Sequence, residues 1–556
     1  MSRRRHPAPG GRLGAYLANW SPTGATLAAV FFALSLAPSL MPRAPEVQGA
    51  LSGFSAIVGY WLGLFIAWLW RFLEIPQPTG GLRRAAAALC LAAAAAWLAY
   101  ALWSAVEWQD GLRDFLGLEP VEASHTPVVL LVSLPLLLLL REAGRALGAL
   151  VGLVAGRLDR ILPRRLSLAL SAALISVLLV NLGSGTLGAW TARALDAAFF
   201  AMDQLIEPDV PPPDHPQAAG GPGSLIDWED LGRQGRRFVS LAPAPDEIAE
   251  IAGGGALRPI RIYVGLGAAE TPDERAALAL EELKRAGGFE RSVLVVVTPT
   301  GTGWIDEAAV DSVEHLHRGD TAIVAMQYSY LTSYVSLFLE PSYSVVSARA
   351  LFDAVYDHWR TLPPDARPKL YLHGLSLGSY GSEQSVGLYR LLRDPIHGAV
   401  WSGPTFDNPR WKSFTAERAP ESPAWLPVFE DGSFVRFANQ TADSGAGDVP
   451  WGPVRFVYVQ YASDPVTFFS TDMFWREPPW LSGDRGPDVS PDLRWRPIIT
   501  GLQVAFDMVG ASSFGPGVGH LIAARDYVDA WVAVTEPPRW PRDALDRLKN
   551  RLGSPE

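Results

Sequence analysis

The chain has 556 residues, too many for one ordinary domain, so two or three are expected. Hydrophobic residues make up 49% and charged residues 19%, with a mean hydropathy of +0.12, a balance rare in soluble proteins and accounted for by a membrane portion. A net charge of −10 argues against a nucleic-acid partner, and the single cysteine, Cys90, excludes an intrachain disulfide framework and any paired-cysteine metal or redox site.

The charge is unevenly spread. Residues 1–205 hold sixteen Arg, no Lys and eleven acids, a net of +5; subtracted from 47 bases and 57 acids, they leave 31 and 46 for residues 206–556, a net of −15. A membrane domain over 1–205 and an acidic soluble part follow from that split.

Five apolar stretches near the roughly 20 residues needed to cross hydrocarbon lie at about 24–42, 51–73, 85–106, 126–141 and 166–188. Pro38 and Pro42 interrupt the first, whose rival reading is a signal peptide; no small-residue cleavage site follows closely, so it is read as a helix. The third closes on Trp103 and Trp108, where interfacial aromatics sit. Arg141 and Glu142 are expected to take the short fourth stretch out of the bilayer. Residues 141–160 then read as an interfacial or re-entrant segment, with four or six spans as the alternatives.

Thirteen arginines fall in the N-terminal tail and after the second and fourth stretches, against only Arg43 and Arg113 in the alternate loops. The positive-inside rule therefore places the N-terminus in the cytoplasm and the C-terminal half outside it, on a multi-pass protein of the cell (inner) membrane. No acid or histidine sits mid-span, which favours an anchor in the lipid bilayer over a transporter or channel with an extracytoplasmic cap.

Proline and glycine crowd residues 206–224, read as a semi-rigid linker. Over 225–556 strand and helix signals alternate, predicting a mostly parallel sheet with helices on both faces. The strands are RPIRIYVGL, RSVLVVVTP, TAIVAMQYS, PKLYLHGL, HGAVWSGP and VRFVYVQYASDP. The helices include TPDERAALALEELKRAG, capped by Thr271, and SVVSARALFDAVYDHWRTL; a last helix, HLIAARDYVDAWVAV, follows a glycine-rich loop.

One strand runs into Gly374-Leu375-Ser376-Leu377-Gly378. G-x-S-x-G after an apolar strand and before a helix suits a nucleophile elbow, because the strained serine turn leaves no room for side chains at Gly374 and Gly378. A nucleophilic serine needs a base later in the chain. Only His397 and His520 follow Ser376; His397 leaves little room for an intervening acid, so His520 is the base. Asp464, beyond a strongly apolar strand, is the favoured acid, with Asp407 in WSGPTFDNP as the alternative. The oxyanion hole would take the Leu377 N–H and one from the TPTGTGW loop, Thr300 or Gly301. His315, His317 and Asp320 lack the remainder of a metal site and read as a solvated helix end. Gly265-Leu266-Gly267 lacks the third glycine of a dinucleotide loop, Glu270 standing in its place. Neither a metal nor an organic cofactor is called for.

The multi-helix N-terminal region, followed by YVGLGAAETPDERAALALEEL, VVVTPTGTGW, TAIVAMQYSYL and HGLSLGSYGSEQS, resembles the bacterial membrane-anchored α/β-hydrolase family formerly catalogued as a domain of unknown function. The resemblance covers nearly the whole chain and implies an α/β-hydrolase domain with Ser376 as nucleophile; the lipase HGGG motif is absent. The expected activity is that of a membrane-anchored serine hydrolase cleaving an acyl ester, lipid- or envelope-derived, by a Ser-His-Asp mechanism. A catalytically inactive membrane scaffold or binding protein is the alternative. Aromatic-rich insertions at about 405–450 and 466–500, with Trp411, Phe414, Trp425, Phe468 and Trp480 among them, are expected either to line an apolar acyl pocket or to serve as ordinary packing.

Overall fold

A computed structural model of the chain describes residues 16, 19–77, 79–122, 124–184, 199–331, 336, 341–442, 449–538 and 540–553. It forms two compact units. The first comprises Met1–Gly183 with Thr471–Glu477 and Ser490–Gly510; the second is Ser184–Ser470, Pro478–Val489 and Ala511–Glu556.

The first unit is helical: α1 Pro22–Ser35, α2 Pro45–Phe72, α3 Gly80–Phe115, α4 His125–Leu158 and α5 Arg164–Ser184. Among the described residues, four helices are long and apolar enough to cross a membrane: α2, α3, α4 and Arg164–Asn181 of α5. The first of the five expected stretches is not among them. Helix α1 has 14 residues, about 21 Å of rise, too short for a hydrocarbon core of about 30 Å. It ends at Ser35, short of the two prolines. Helix α4 also departs from expectation, continuing through Arg141 as one 34-residue helix. Arg141 need not leave for water because its guanidinium lies 4.3 Å from the Trp20 ring centroid and donates to Tyr16 Oη at 3.0 Å.

Close helix contacts rest on small residues, as is usual where lipid removes the hydrophobic drive between helices. A β-carbon at Gly59 would stand 2.5 Å from the Leu27 carbonyl, and one at Gly53 would stand 2.8 Å from that of Ser133. The helix Ile499–Gly510, far away in sequence, belongs to this unit. Its Asp507 accepts from Arg43 Nε at 2.6 Å with both side chains buried, and Gln503 Nε2 donates to the Ala37 carbonyl at 2.8 Å. A buried ion pair needs its full set of partners, and Gln48 supplies another at 2.7 Å. Residues 466–500, expected as one insertion, are thus divided between the two units.

The second unit is built on a seven-stranded, wholly parallel sheet in the order β1-β3-β2-β4-β5-β7-β6. The strands are β1 Ile260–Val264, β2 Val293–Thr298, β3 Thr321–Met326, β4 Lys369–Leu375, β5 Gly398–Ser402, β6 Val435–Ala438 and β7 Arg455–Val459. Strand β2 is buried along its whole length, as its unbroken apolar run requires. Helices α6 (Pro272–Arg285), α8 (Ser342–Trp359) and α9 (Leu377–Ser385) pack together on one face; α7 (Glu307–Leu316), α10 (Ala524–Thr535) and α11 (Arg542–Leu552) pack on the other. Helix α6 begins as read, with Thr271 and Glu274 exchanging side-chain and backbone bonds at 3.2 and 2.9 Å.

Two local features add to the sequence reading. In the 206–224 stretch, read as a semi-rigid linker, Ala218 and Ala219 are buried, Ser224 bonds Glu282 at 2.7 Å, and Gln217 donates to the Ala286 carbonyl at 3.1 Å. It is pinned along α6. Strand β6 lies inside the first aromatic insertion, where no strand was expected.

Candidate active site

Strand β4 delivers Ser376 at its carboxyl end, and the chain turns there directly into α9. Ser376 has φ 58° and ψ −126°, a left-handed backbone that a β-carbon-bearing residue tolerates only under constraint. Its N–H is held by the Ser402 carbonyl at 3.0 Å. The flanking glycines are required by space: a β-carbon on Gly374 would come within 2.5 Å of the Gly378 backbone, and one on Gly378 would overlap the Thr298 carbonyl. The TPTGTGW loop therefore lies directly against the elbow.

Five residues beyond β7, Asp464 is fully buried and caps a short helical turn, Pro465–Phe468. Its Oδ1 accepts from the Val466 N–H at 2.8 Å, and Thr467 Oγ1 lies 2.9 Å from Oδ2. That same Oδ2 faces His520 Nδ1 at 2.6 Å. A carboxylate at Nδ1 puts the ring proton on that nitrogen and leaves Nε2 as the proton acceptor. His520 Nε2 is buried and, among the described residues, without a hydrogen-bond partner, Ser376 Oγ included.

The imidazole is placed by its loop and by Gly403. Gly519 donates its N–H to Ser463 Oγ at 3.0 Å, the residue before the acid, and the His520 N–H is taken by the Ala511 carbonyl at 2.9 Å. Gly403, at φ 45°, follows the strand residue Ser402 that pairs with Leu375, so it stands level with Ser376. A β-carbon there would approach His520 Cε1 to 2.7 Å. The imidazole thus lies over Gly403, beside the elbow. Neither Gly403 nor Ser463 was singled out from sequence; the strand-ending glycine of WSGP was the available signal for the first.

The other expected residues separate clearly. Asp407 is exposed and pairs with Lys412 at 3.0 Å, whereas Asp464 meets the histidine. Thr300 N–H, one of the donors expected at the oxyanion hole, is occupied by the Trp304 carbonyl at 2.9 Å. Gly301 sits in the same tight turn. That turn is braced from behind: Tyr263 Oη donates to the Gly303 carbonyl at 2.7 Å, and Gln327 Nε2 donates to that of Thr302 at 3.2 Å. His397 Nδ1 accepts the Leu370 N–H at 3.1 Å, and burial pushes its pKa down to about 4, so it serves the sheet.

His315 is buried, its Nδ1 on the Asp311 carbonyl at 2.8 Å, and His317 Nε2 meets Thr535 Oγ1 at 2.9 Å. That helix end is packed and not solvated. Among the described residues no group of three metal-ligating side chains is present.

The insertion aromatics mostly pack on the sheet edge. Phe437 stacks on Tyr458, Phe414 meets Phe429 and Phe434, Trp411 Nε1 donates to Gln460 at 2.6 Å, and Trp480 Nε1 donates to the Phe468 carbonyl at 3.1 Å. Trp425 is tied to the Asp484 carbonyl at 2.8 Å. These contacts give the edge strands β6 and β7 a core of their own.

The sequence model described as "Alpha/beta-hydrolase family" matches residues 260–548, and its companion, "Alpha/beta-hydrolase family N-terminus", matches residues 36–243. No curated protein and no solved structure compared with the chain matches it.

Proposed function

Because the chain belongs to the alpha/beta-hydrolase family, we propose that it is a serine hydrolase carried by a membrane-spanning N-terminal region, cleaving acyl esters through Ser376, His520 and Asp464. The observation that carries this reading is the 2.6 Å Asp464–His520 pair beside an elbow serine held at φ 58°. In the proposed cycle His520 Nε2 removes the Ser376 proton as Oγ attacks the ester carbonyl. The Leu377 N–H, first in α9, stabilises the oxyanion. The imidazolium, held by Asp464, protonates the departing alcohol, and water then releases the acid by the same route.

The substrate class we favour is an apolar acyl ester, lipid- or envelope-derived. Its support is the anchor: a hydrolase tethered by spanning helices meets lipid-soluble substrates at high effective concentration.

Turnover of p-nitrophenyl esters by the purified full chain in detergent tests the proposal. Ser376→Ala and His520→Ala should each lose at least about 10³-fold in kcat, and the double variant little more, because groups that act as a unit are not additive. Asp464→Asn should cost less than either. Wild-type turnover in Ser376→Ala would refute the mechanism.

A further inference from the structure

We propose that the phenolic hydroxyl of Tyr328 is a second hydrogen-bond donor of the oxyanion hole, acting with the Leu377 N–H. The assignment rests on the serine-hydrolase reading above and deepens it.

The sheet register places the residue. Val297 of β2 pairs with Ala325 on one side and with His373 on the other. Three residues further along each chain stand Thr300, Tyr328 and Ser376. All three leave the same edge of the sheet at the same level. The Tyr328 ring packs on Leu377, the residue after Ser376, with Tyr380 and Phe406 against the same cluster. A tyrosine two strands away therefore contacts the first residue of α9, whose N–H is the elbow's oxyanion donor.

Its hydroxyl is the unusual part. Tyr328 is 4% exposed, and its Oη is buried with no hydrogen-bond partner among the described residues. A buried hydroxyl without a partner is costly, and native structures keep few of them. His520 Nε2 is in the same condition. The two unpartnered polar atoms belong to residues on either side of Ser376, one an acceptor and one a donor. A tetrahedral ester adduct needs an acceptor for the serine proton and donors for the developing oxyanion. The backbone donor expected from Thr300 is already committed to Trp304, which leaves a place for a donor besides it. Burial pushes the Tyr328 phenol far above its usual range, so it remains a donor at any working pH.

The step balances without proton loss from the tyrosine. Ser376 Oγ bonds to the carbonyl carbon, the carbonyl electron pair moves onto oxygen, and that oxygen accepts from Leu377 N–H and Tyr328 O–H. When the adduct collapses the C=O bond reforms, the alcohol leaves with the proton held by His520, and Tyr328 keeps its own.

The test is Tyr328→Phe in the full chain, which removes one oxygen and keeps the ring packing. Losing an oxyanion donor typically costs about 10²–10³ in kcat. A fall of that size is expected with KM within about threefold of wild type. Affinity for a trifluoromethyl ketone analogue of the ester should weaken by a similar factor. The melting temperature should hold or rise, since the substitution deletes an unpartnered polar atom. Active-site titration with a fluorophosphonate separates the two proposals. If wild type does not take up the probe at Ser376, the serine-hydrolase reading fails and this one with it. If both proteins take up one equivalent and Tyr328→Phe keeps a kcat within threefold of wild type, the Tyr328 assignment alone is overturned. A joint fall in kcat and melting temperature would also overturn it, marking Tyr328 as a packing residue.

Discussion

Ser376 holds a left-handed backbone, at a cost of about 1–3 kcal/mol for a residue with a β-carbon, and its neighbours show why the chain sustains it. Gly374 and Gly378 clear the turn, and Gly403 clears the histidine. The turn at Ser376 and the contact of His520 with Asp464 have local signatures in the sequence: an elbow pattern, a glycine loop before the last helix, an acid behind an apolar strand. The places of Tyr328 and Gly403 have no such signature, since they depend on which strands lie side by side. One other buried group yields a pH prediction. Asp306 caps α7 through the Ala308 N–H at 3.1 Å and accepts from Tyr527 Oη at 3.1 Å; burial raises its pKa from 3.8 to about 7. The folded state thus binds a proton that the unfolded chain releases near pH 4. Its contribution is fully present below about pH 4 and is lost as pH rises to about 7, a change on the order of 4 kcal/mol. Asp306→Asn, which keeps the cap, should flatten the dependence of unfolding free energy on pH across that window. An unchanged slope in chemical denaturation would show that Asp306 does not carry it.

At the scale of elements, six of the seven strands and the capped helix α6 could be read directly, because buried parallel strands are short, dense apolar runs punctuated by turn residues. Strand β6 escaped because four residues, VRFA, inside an aromatic-rich insertion give no period to recognise. The helix Ile499–Gly510 escaped for a different reason. Its apolar residues Ile499, Leu502, Val504 and Met508 are buried, as those of any core helix would be. What assigns it to the N-terminal unit is a pairing across more than 460 positions, Asp507 with Arg43. The fourth membrane stretch was cut at Arg141 by a charge rule that holds for arginines facing lipid, whereas this one is covered by Trp20 and Tyr16. The aromatic insertions show the same ambiguity: composition marks them as places of dense packing without saying what they pack against.

For the whole molecule, the predicted side of the second unit rests on the turns between α2 and α5 and not on whether α1 spans. Arg71, Arg83 and Arg84 lie where α2 gives way to α3, and Arg157, Arg160, Arg164 and Arg165 where α4 gives way to α5. The α3–α4 connection is acidic instead, with Asp110, Asp114, Glu119 and Glu122. Arginine-rich turns face the cytoplasm, so the chain should leave α5 on the opposite side whatever α1 does. Alkaline phosphatase fused after about residue 230 should be active and a fusion near residue 80 inactive; the reverse pattern would overturn this orientation. The central claim, that Ser376 is a nucleophile primed by His520 and Asp464, is tested most directly by intact-mass and peptide mapping of the full chain after reaction with a fluorophosphonate. The account predicts one phosphonyl adduct per chain, located on Ser376, lost in Ser376→Ala and strongly slowed in His520→Ala. An unmodified wild-type chain, or an adduct located on another residue, would contradict it.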